Sequence, residues 1–309
     1  VNKFCFKGGN KMKAITNIHH ISAIVGGPQE TVDFYRDVLN LRFIKQTVNY
    51  DDEHTYHLYF SNQSVDNGSI ITFFNWKNAH HGRVGSGQVG TIAFRIPKGS
   101  TSYWRDRLTQ FGVPIKETRL FNQPTLELLD VHDLALALVE SNEFFETPEI
   151  LGFHGAILLS ANPKATAHTL TQDLGLIIAG SSTNYDYFYT KGDARHQIGI
   201  PKQPLSKGRW GIGTVHHIAW AVSDEKEQTQ WHDYLSQQHY GVTEIKNRNY
   251  FQAIYFQEPG SVVFEVATEG PGFTIDESFE TLGQRLMLPA HFESRRKGVV
   301  FCYNLIPKN

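Results

Sequence analysis

Two His-His dipeptides occur almost two hundred residues apart in the same local setting, Ile18-His19-His20-Ile21 and Val215-His216-His217-Ile218. Each sits in a short apolar run in which side chains alternate sides, so one His of each pair faces one side of a sheet and its neighbour the other. Two such strands bring one imidazole each to a shared point. Val262-Val263-Phe264-Glu265-Val266 supplies a third donor, a lone carboxylate in an apolar run where an unpaired charge is costly. Two His and one carboxylate with open positions form the donor set of non-haem Fe(II) oxygen chemistry, with Mn(II) as the alternative ion. A single His in a strand is more often a hydrogen-bonded core or surface residue. The duplication, together with a buried Glu in the second copy, is what favours a metal.

Parity selects between the members of each pair. Ser22 shares a face with His20, whereas Ile21, Ala23 and Val25 share the face of His19, so the second His lies on the side with polar company. Parity thus favours His20, and the choice of His20 and His217 as the expected ligands with Glu265 rests on it together with the resemblance set out below. His19 and His216 are left to steady them, to move protons or simply to close hydrogen bonds. The strand Gly68-Ser69-Ile70-Ile71-Thr72-Phe73, laid on Gly260-Ser261-Val262-Val263-Phe264-Glu265, puts Phe73 where Glu265 stands, so a fourth ligand is missing. The incomplete shell leaves room for substrate and a small molecule such as O2. Upstream, Arg248 is a candidate holder of an anionic substrate oxygen, although the sequence alone favours a surface salt bridge, and Tyr255 joins the same face only if the strand register permits.

Those residues need elements to position them, and one pattern occurs four times: a strand, a short amphipathic helix, a turn, then further strands. The first runs from His20 through Thr31–Leu39 to Leu41-Arg42-Phe43, and the fourth from His217 through Trp231–Leu235 to Tyr240-Gly241-Val242. Copies between them begin at Thr91 and Gly155. The expected fold class is α+β, four βαβββ modules paired into two domains, because one curved sheet cannot bury both faces alone. Residues 12–140 and 150–270 read as the two domains and 271–309 as a tail whose end, from Lys297, lacks an amphipathic period. Residues 1–11 precede Met12, fit no repeat and are expected to be an extension without function.

Bulk properties exclude several classes. Lys and Arg number 29 against 31 Asp and Glu in 309 residues, a balance that offers no basic face to a nucleic acid. No apolar stretch approaches the roughly 20 residues that span a bilayer. Two cysteines, Cys5 and Cys302, make neither a disulfide framework nor a Cys-rich zinc site, and a reducing cytoplasm fits them.

The stretches Ile18–Ser22, Tyr56–Phe60, Gly87–Phe94, Val215–Ala219, Asn247–Phe251 and Pro259–Glu265 together resemble the vicinal oxygen chelate superfamily. Within it they resemble ring-cleaving hydroquinone dioxygenases of the methylhydroquinone-resistance and chlorohydroquinone 1,2-dioxygenase type. The resemblance covers roughly residues 14–296. It implies two vicinal-oxygen-chelate domains and Fe(II) held by His20, His217 and Glu265. It also implies supporting roles for His19, Ser22 (a Thr in most relatives), His216, Arg248 and Tyr255. The implied reaction is ring opening of an aromatic diol with O2 by a cytoplasmic homo-oligomer. On the same fold, a metal-dependent glyoxalase-type lyase or isomerase, a thiol transferase, or a non-catalytic aromatic-binding resistance protein are the rival readings.

Overall fold

A computed structural model describes residues 12–76 and 78–298, so residues 1–11 and the end beyond Gly298 lie outside the described residues. The four repeats are present in full. The first comprises β1 (Ile18–Val25), α1 (Pro28–Asp33), β2 (Arg42–Asn49), β3 (Asp52–Ser61) and β4 (Ile70–Asn75). The second comprises β5 (Gln88–Ile96), α2 (Thr101–Gln110), β6 (Ile115–Leu120), β7 (Gln123–Leu129) and β8 (Ala135–Glu140). The third comprises β9 (Gly152–Leu159), α3 (Pro163–His168), β10 (Ile177–Ser181), β11 (Tyr185–Tyr189) and β12 (Gln197–Pro201). The fourth comprises β13 (Thr214–Val222), α4 (Glu225–Gln237), β14 (Lys246–Asn247), β15 (Phe251–Gln257) and β16 (Val263–Pro271). None of the described helices is long and apolar enough to cross a membrane.

The strands form two eight-stranded sheets, ordered β14-β15-β16-β13-β1-β4-β3-β2 and β10-β11-β12-β9-β5-β8-β7-β6. The first sheet therefore joins repeat one to repeat four, and the second joins repeat two to repeat three. The expectation that residues 12–140 and 150–270 each close a two-repeat domain is corrected at the level of the sheets, which both cross that boundary. The reason lies in the first strand of each repeat. All eight residues of β1 are buried, so β1 must sit mid-sheet with neighbours on both edges. It takes β4 of its own repeat in parallel and β13 antiparallel. Segment 141–149, expected to separate domains, instead connects β8 to β9 within the second sheet.

Each sheet has an inner face, and the two differ in chemistry. That of the second sheet is packed with Leu120, Phe121, Val139, Ile157 and Leu159. That of the first sheet carries His20, Ser22, His57, Thr72, His217 and Glu265, all buried. Sheet curvature alone thus does not make a site. Residues 273–295 add short 3-10 turns that close the seam between the edges of the first sheet. There the fully buried Lys45 of β2 meets Asp276 and Glu277, each at 2.6 Å, and Met287 donates its backbone N–H to Gln46.

Candidate metal centre and aromatic pocket

Three adjacent strands of the first sheet deliver His20, His217 and Glu265 to one point. One donor atom from each lies within 4.8 Å of the other two, and all three residues are buried. Glu265 Oε2 is 2.8 Å from His217 Nε2 and 3.3 Å from His20 Nε2, and the two Nε2 atoms are 3.3 Å apart. Neither Glu265 oxygen accepts a hydrogen bond of normal geometry. Burial opposes ionisation of Glu265, yet His20 and His217 hold its carboxyl well below the usual range. Burial, partly countered by Glu265, likewise pushes His217 down. A carboxylate faced by two imidazole nitrogens, with no donor to satisfy it, fits a divalent cation at their centre.

Hydrogen bonding behind His20 assigns its tautomer. His19 Nε2 lies 3.1 Å from the carbonyl of Thr268, which can only accept, so Nε2 carries the proton. Burial and the neighbouring His20 push His19 down to about 3, so it is neutral and its Nδ1 is an acceptor. His20 Nδ1, 2.8 Å away, must then donate, which leaves the His20 Nε2 lone pair bare toward Glu265. The second pair repeats the motif, His216 Nδ1 lying 2.7 Å from His217 Nδ1, with the His216 ring stacked on Trp210.

Strict alternation predicts that the two rings of each pair point to opposite faces, and here the structure differs. Pairing of β1 with β13 runs Ile18 to Trp220 and then His20 to Ala219, which leaves His19 without an opposite number. It next runs Ser22 to His217 and Ala23 to Val215, which leaves out His216. Each vicinal His is thus the extra residue of a β-bulge, a distortion that re-aims a side chain. The bulges bring both rings of each pair into contact.

Register also corrects the position of the missing ligand. Ser22 pairs with Thr72 and Ala219 with Glu265, while Tyr59 faces Thr72 and Tyr255 faces Glu265. Thr72, not Phe73, is the counterpart of Glu265; Phe73 points into the core. Relative to its glycine the turn ahead of β16 enters one residue later than the turn ahead of β4, since Gly68 shares its positive φ with Ser261, not with Gly260. No carboxylate stands at the symmetric position in either case.

A small pocket lies against the two ligand imidazoles, lined by His20, Ser22, His57, Tyr59, His217, Phe251 and Tyr255 among others. Tyr255 does share the face of Glu265, and Arg248 Nε donates to its hydroxyl at 3.3 Å. Burial and Glu265 push the Tyr255 phenol up. Burial disfavours the Arg248 charge, but Tyr255 and Asp51 hold it on. Arg248 also pairs with Asp51 at 3.0 Å, so the salt bridge is present, and the same side chain lines the pocket. His57 and Tyr59 were not among the expected site residues. Their alternation in β3, His and Tyr on one face between Tyr56, Leu58 and Phe60 on the other, is the signal that marks them.

A model of the Glyoxalase/Bleomycin resistance protein/Dioxygenase superfamily matches residues 17–120. The provisionally named ring-cleaving dioxygenase MhqO of Bacillus subtilis is 45% identical over 92% of this chain and 94% of its own. The chlorohydroquinone/hydroquinone 1,2-dioxygenase of Sphingobium indicum is 29% identical over 90% of this chain and 93% of its own. Among solved structures, a provisionally named dioxygenase from Bacillus subtilis superposes with a TM-score of 0.92 at 43% identity, covering 96% of this chain and 99% of that one. Glyoxalase I from Zea mays shares the fold, with a TM-score of 0.63 at 12% identity over 82% of this chain and 92% of that one. The repeated fold and the extent of these matches carry one conclusion, that this chain belongs to the Glyoxalase/Bleomycin resistance protein/Dioxygenase superfamily, among the relatives of MhqO.

Proposed function

We propose that the protein is an Fe(II)-dependent, extradiol-type ring-cleaving dioxygenase that opens hydroquinone-type aromatic diols with O2. The observation that carries this reading is the buried group of His20, His217 and Glu265, which has no fourth protein ligand among the described residues and whose two imidazoles line a pocket walled by Phe74, Phe251 and Tyr255. Fe(II) held there supplies the one-electron chemistry that lets O2 react with an aromatic ring. The protein's part is positioning and charge. His19 fixes the tautomer of the His20 imidazole, and His216 is placed to do the same for His217. Phe251 packs against the His20 ring at 5.1 Å between centroids and adds an apolar surface beside it. Arg248, braced by Tyr255 and Asp51, is placed to hold negative charge on substrate oxygen. Tyr255, its own proton held tightly, serves as a neutral donor.

A glyoxalase-type lyase on the same fold is the second reading, and Thr72 in place of a second carboxylate counts against it. The relatives' names favour aromatic ring cleavage over both that and simple sequestration. Protein purified without oxygen should contain about one iron per chain and consume O2 with methylhydroquinone and chlorohydroquinone faster than with catechol. Preference for catechol moves the protein to ordinary catechol cleavage. Iron-free protein without O2 uptake on any diol sinks the proposal.

A further inference from the structure

The half of the cavity opposite Glu265 is built as a single hydrogen-bonded chain. Ser22 Oγ lies 2.8 Å from Thr72 Oγ1, Thr72 Oγ1 lies 2.9 Å from His57 Nε2, and His57 Nδ1 lies 2.9 Å from the Tyr59 hydroxyl. All four residues are buried, and Ser22, His57 and Tyr59 line the cavity. This arrangement is peculiar to the first repeat. In the fourth, Tyr255 corresponds to Tyr59 and Glu265 to Thr72, but Ala253, two residues before Tyr255, stands where His57 stands. The substitution of a His for a small residue is what fills the gap and links Tyr59 to Thr72.

Proton counting shows what the chain offers. With His57 neutral it has two directions. If Tyr59 donates to His57 and His57 to Thr72, then Thr72 donates to Ser22, and the Ser22 hydroxyl proton is left over. In the opposite direction the Tyr59 proton is left over. Either way one end presents an O–H and the other an oxygen lone pair, and no member is an acid or a permanent cation. Such a wall suits a neutral group that both donates and accepts, and it repels neither charge state of the metal side.

We propose that the Ser22–Thr72–His57–Tyr59 chain is the recognition element for a second, neutral hydroxyl of the substrate, on the side of the ring away from His20, His217 and Glu265. The inference rests on the ring-cleaving reading and deepens it. In a para-diol the second hydroxyl reaches this wall while the first faces the triad. In a catechol the two oxygens are adjacent and both fall on the triad side, so the chain stays unmatched. His57 and Thr72 are on this account positioning residues that select the substrate and take no part in holding the metal.

The test is equilibrium binding to Fe(II)-loaded protein without O2, by calorimetry, with hydroquinone and phenol as probes. The unaltered protein should bind hydroquinone about tenfold more tightly than phenol, the scale of one well-made hydrogen bond. Thr72→Val, which cuts the chain without changing shape, should bring that ratio close to one while phenol affinity and iron content stay unchanged. Thr72→Ser should restore the preference, and Tyr59→Phe, which removes one end alone, should lower it. If both probes weaken equally in Thr72→Val and Tyr59→Phe, or the ratio survives both, the chain is structural and the inference fails. Absence of any preference in the unaltered protein overturns the inference and leaves ring cleavage standing. Failure of both probes to bind overturns both.

Discussion

His19 donates from Nε2 to the backbone carbonyl of Thr268 at 3.1 Å, and through that contact the backbone of β16 sets the tautomer of His20 on β1. Removal of the contact should free His20 to bind through either nitrogen. His19→Leu is therefore expected to weaken Fe(II) binding by about 10–100-fold, the range for losing a group that orients a ligand imidazole. Competition against a chelator measures it. An unchanged metal affinity would show that His20 is held by packing against Phe251 alone.

Glu265→Ala removes the one negative charge among the three ligands. Iron content per chain should fall sharply after the same oxygen-free purification, since two neutral imidazoles hold a divalent ion weakly. Full occupancy in this variant would sink the assignment of Glu265.

Arg248 is expected to act on turnover without touching the metal. Arg248→Ala should lower the rate of O2 uptake with hydroquinones by about a hundredfold or more, the scale for a preorganised donor to developing charge. Iron content should remain normal. Asp51→Asn should cost far less, because Asp51 is mostly exposed and only braces the guanidinium. Equal losses in both variants would mean that the ion pair, not the contact of Arg248 with substrate, is what matters.

How much of this was legible in the sequence depends on which interaction fixes each part. The duplicated His pairs and the stranded Glu265 announce the triad, because burying three such groups apart would be costly. The repeat pattern announces four βαβββ units, because helix and strand periods differ. Which repeat joins which is set by strand edges, and the repeats are too alike for local pattern to decide it. The His pairs do point to repeats one and four, since only strands of one sheet can bring them together. The bulges at His19 and His216 arise from pairing across β1 and β13 and leave no mark in either strand's own alternation. A one-residue offset before β16 made Phe73 look like the partner of Glu265, and only register reveals Thr72.

Lys45 is a fully buried cation held by Asp276 and the equally buried Glu277, with Tyr250 beneath it at 4.9 Å from ring centre to Nζ. Lys45→Met keeps the volume and strands two carboxylates, so it should destabilise the protein by about 3–5 kcal/mol, the usual cost of breaking a buried pair from one side. Urea denaturation measures this. A loss under about 1 kcal/mol would show that residues 276 and 277 relax into water, and that the segment closing the sheet seam is only loosely docked.

His196 gives the fold an acid limit that is independent of the metal centre. Its Nδ1 accepts the backbone N–H of Ile18 at 2.9 Å, tying the third repeat to the start of β1. Burial first, then Arg95 and His154, push the imidazole down to about 3 from an ordinary 6.5. Below pH 6.5 the unfolded chain therefore takes up a proton that the folded chain refuses. Stability contributed by neutral His196 is complete above that pH and declines as pH falls toward about 3, by up to roughly 1.4 kcal/mol per pH unit for one such group. His196→Asn can keep an acceptor for Ile18 without titrating. Unfolding free energies between pH 4.5 and 7.5 should then fall less steeply in the variant, by close to one proton's worth of slope. Other buried histidines contribute equally to both proteins and cancel in the difference. Parallel curves would mean that His196 takes up its proton in the folded state, with the Ile18 contact broken at little cost.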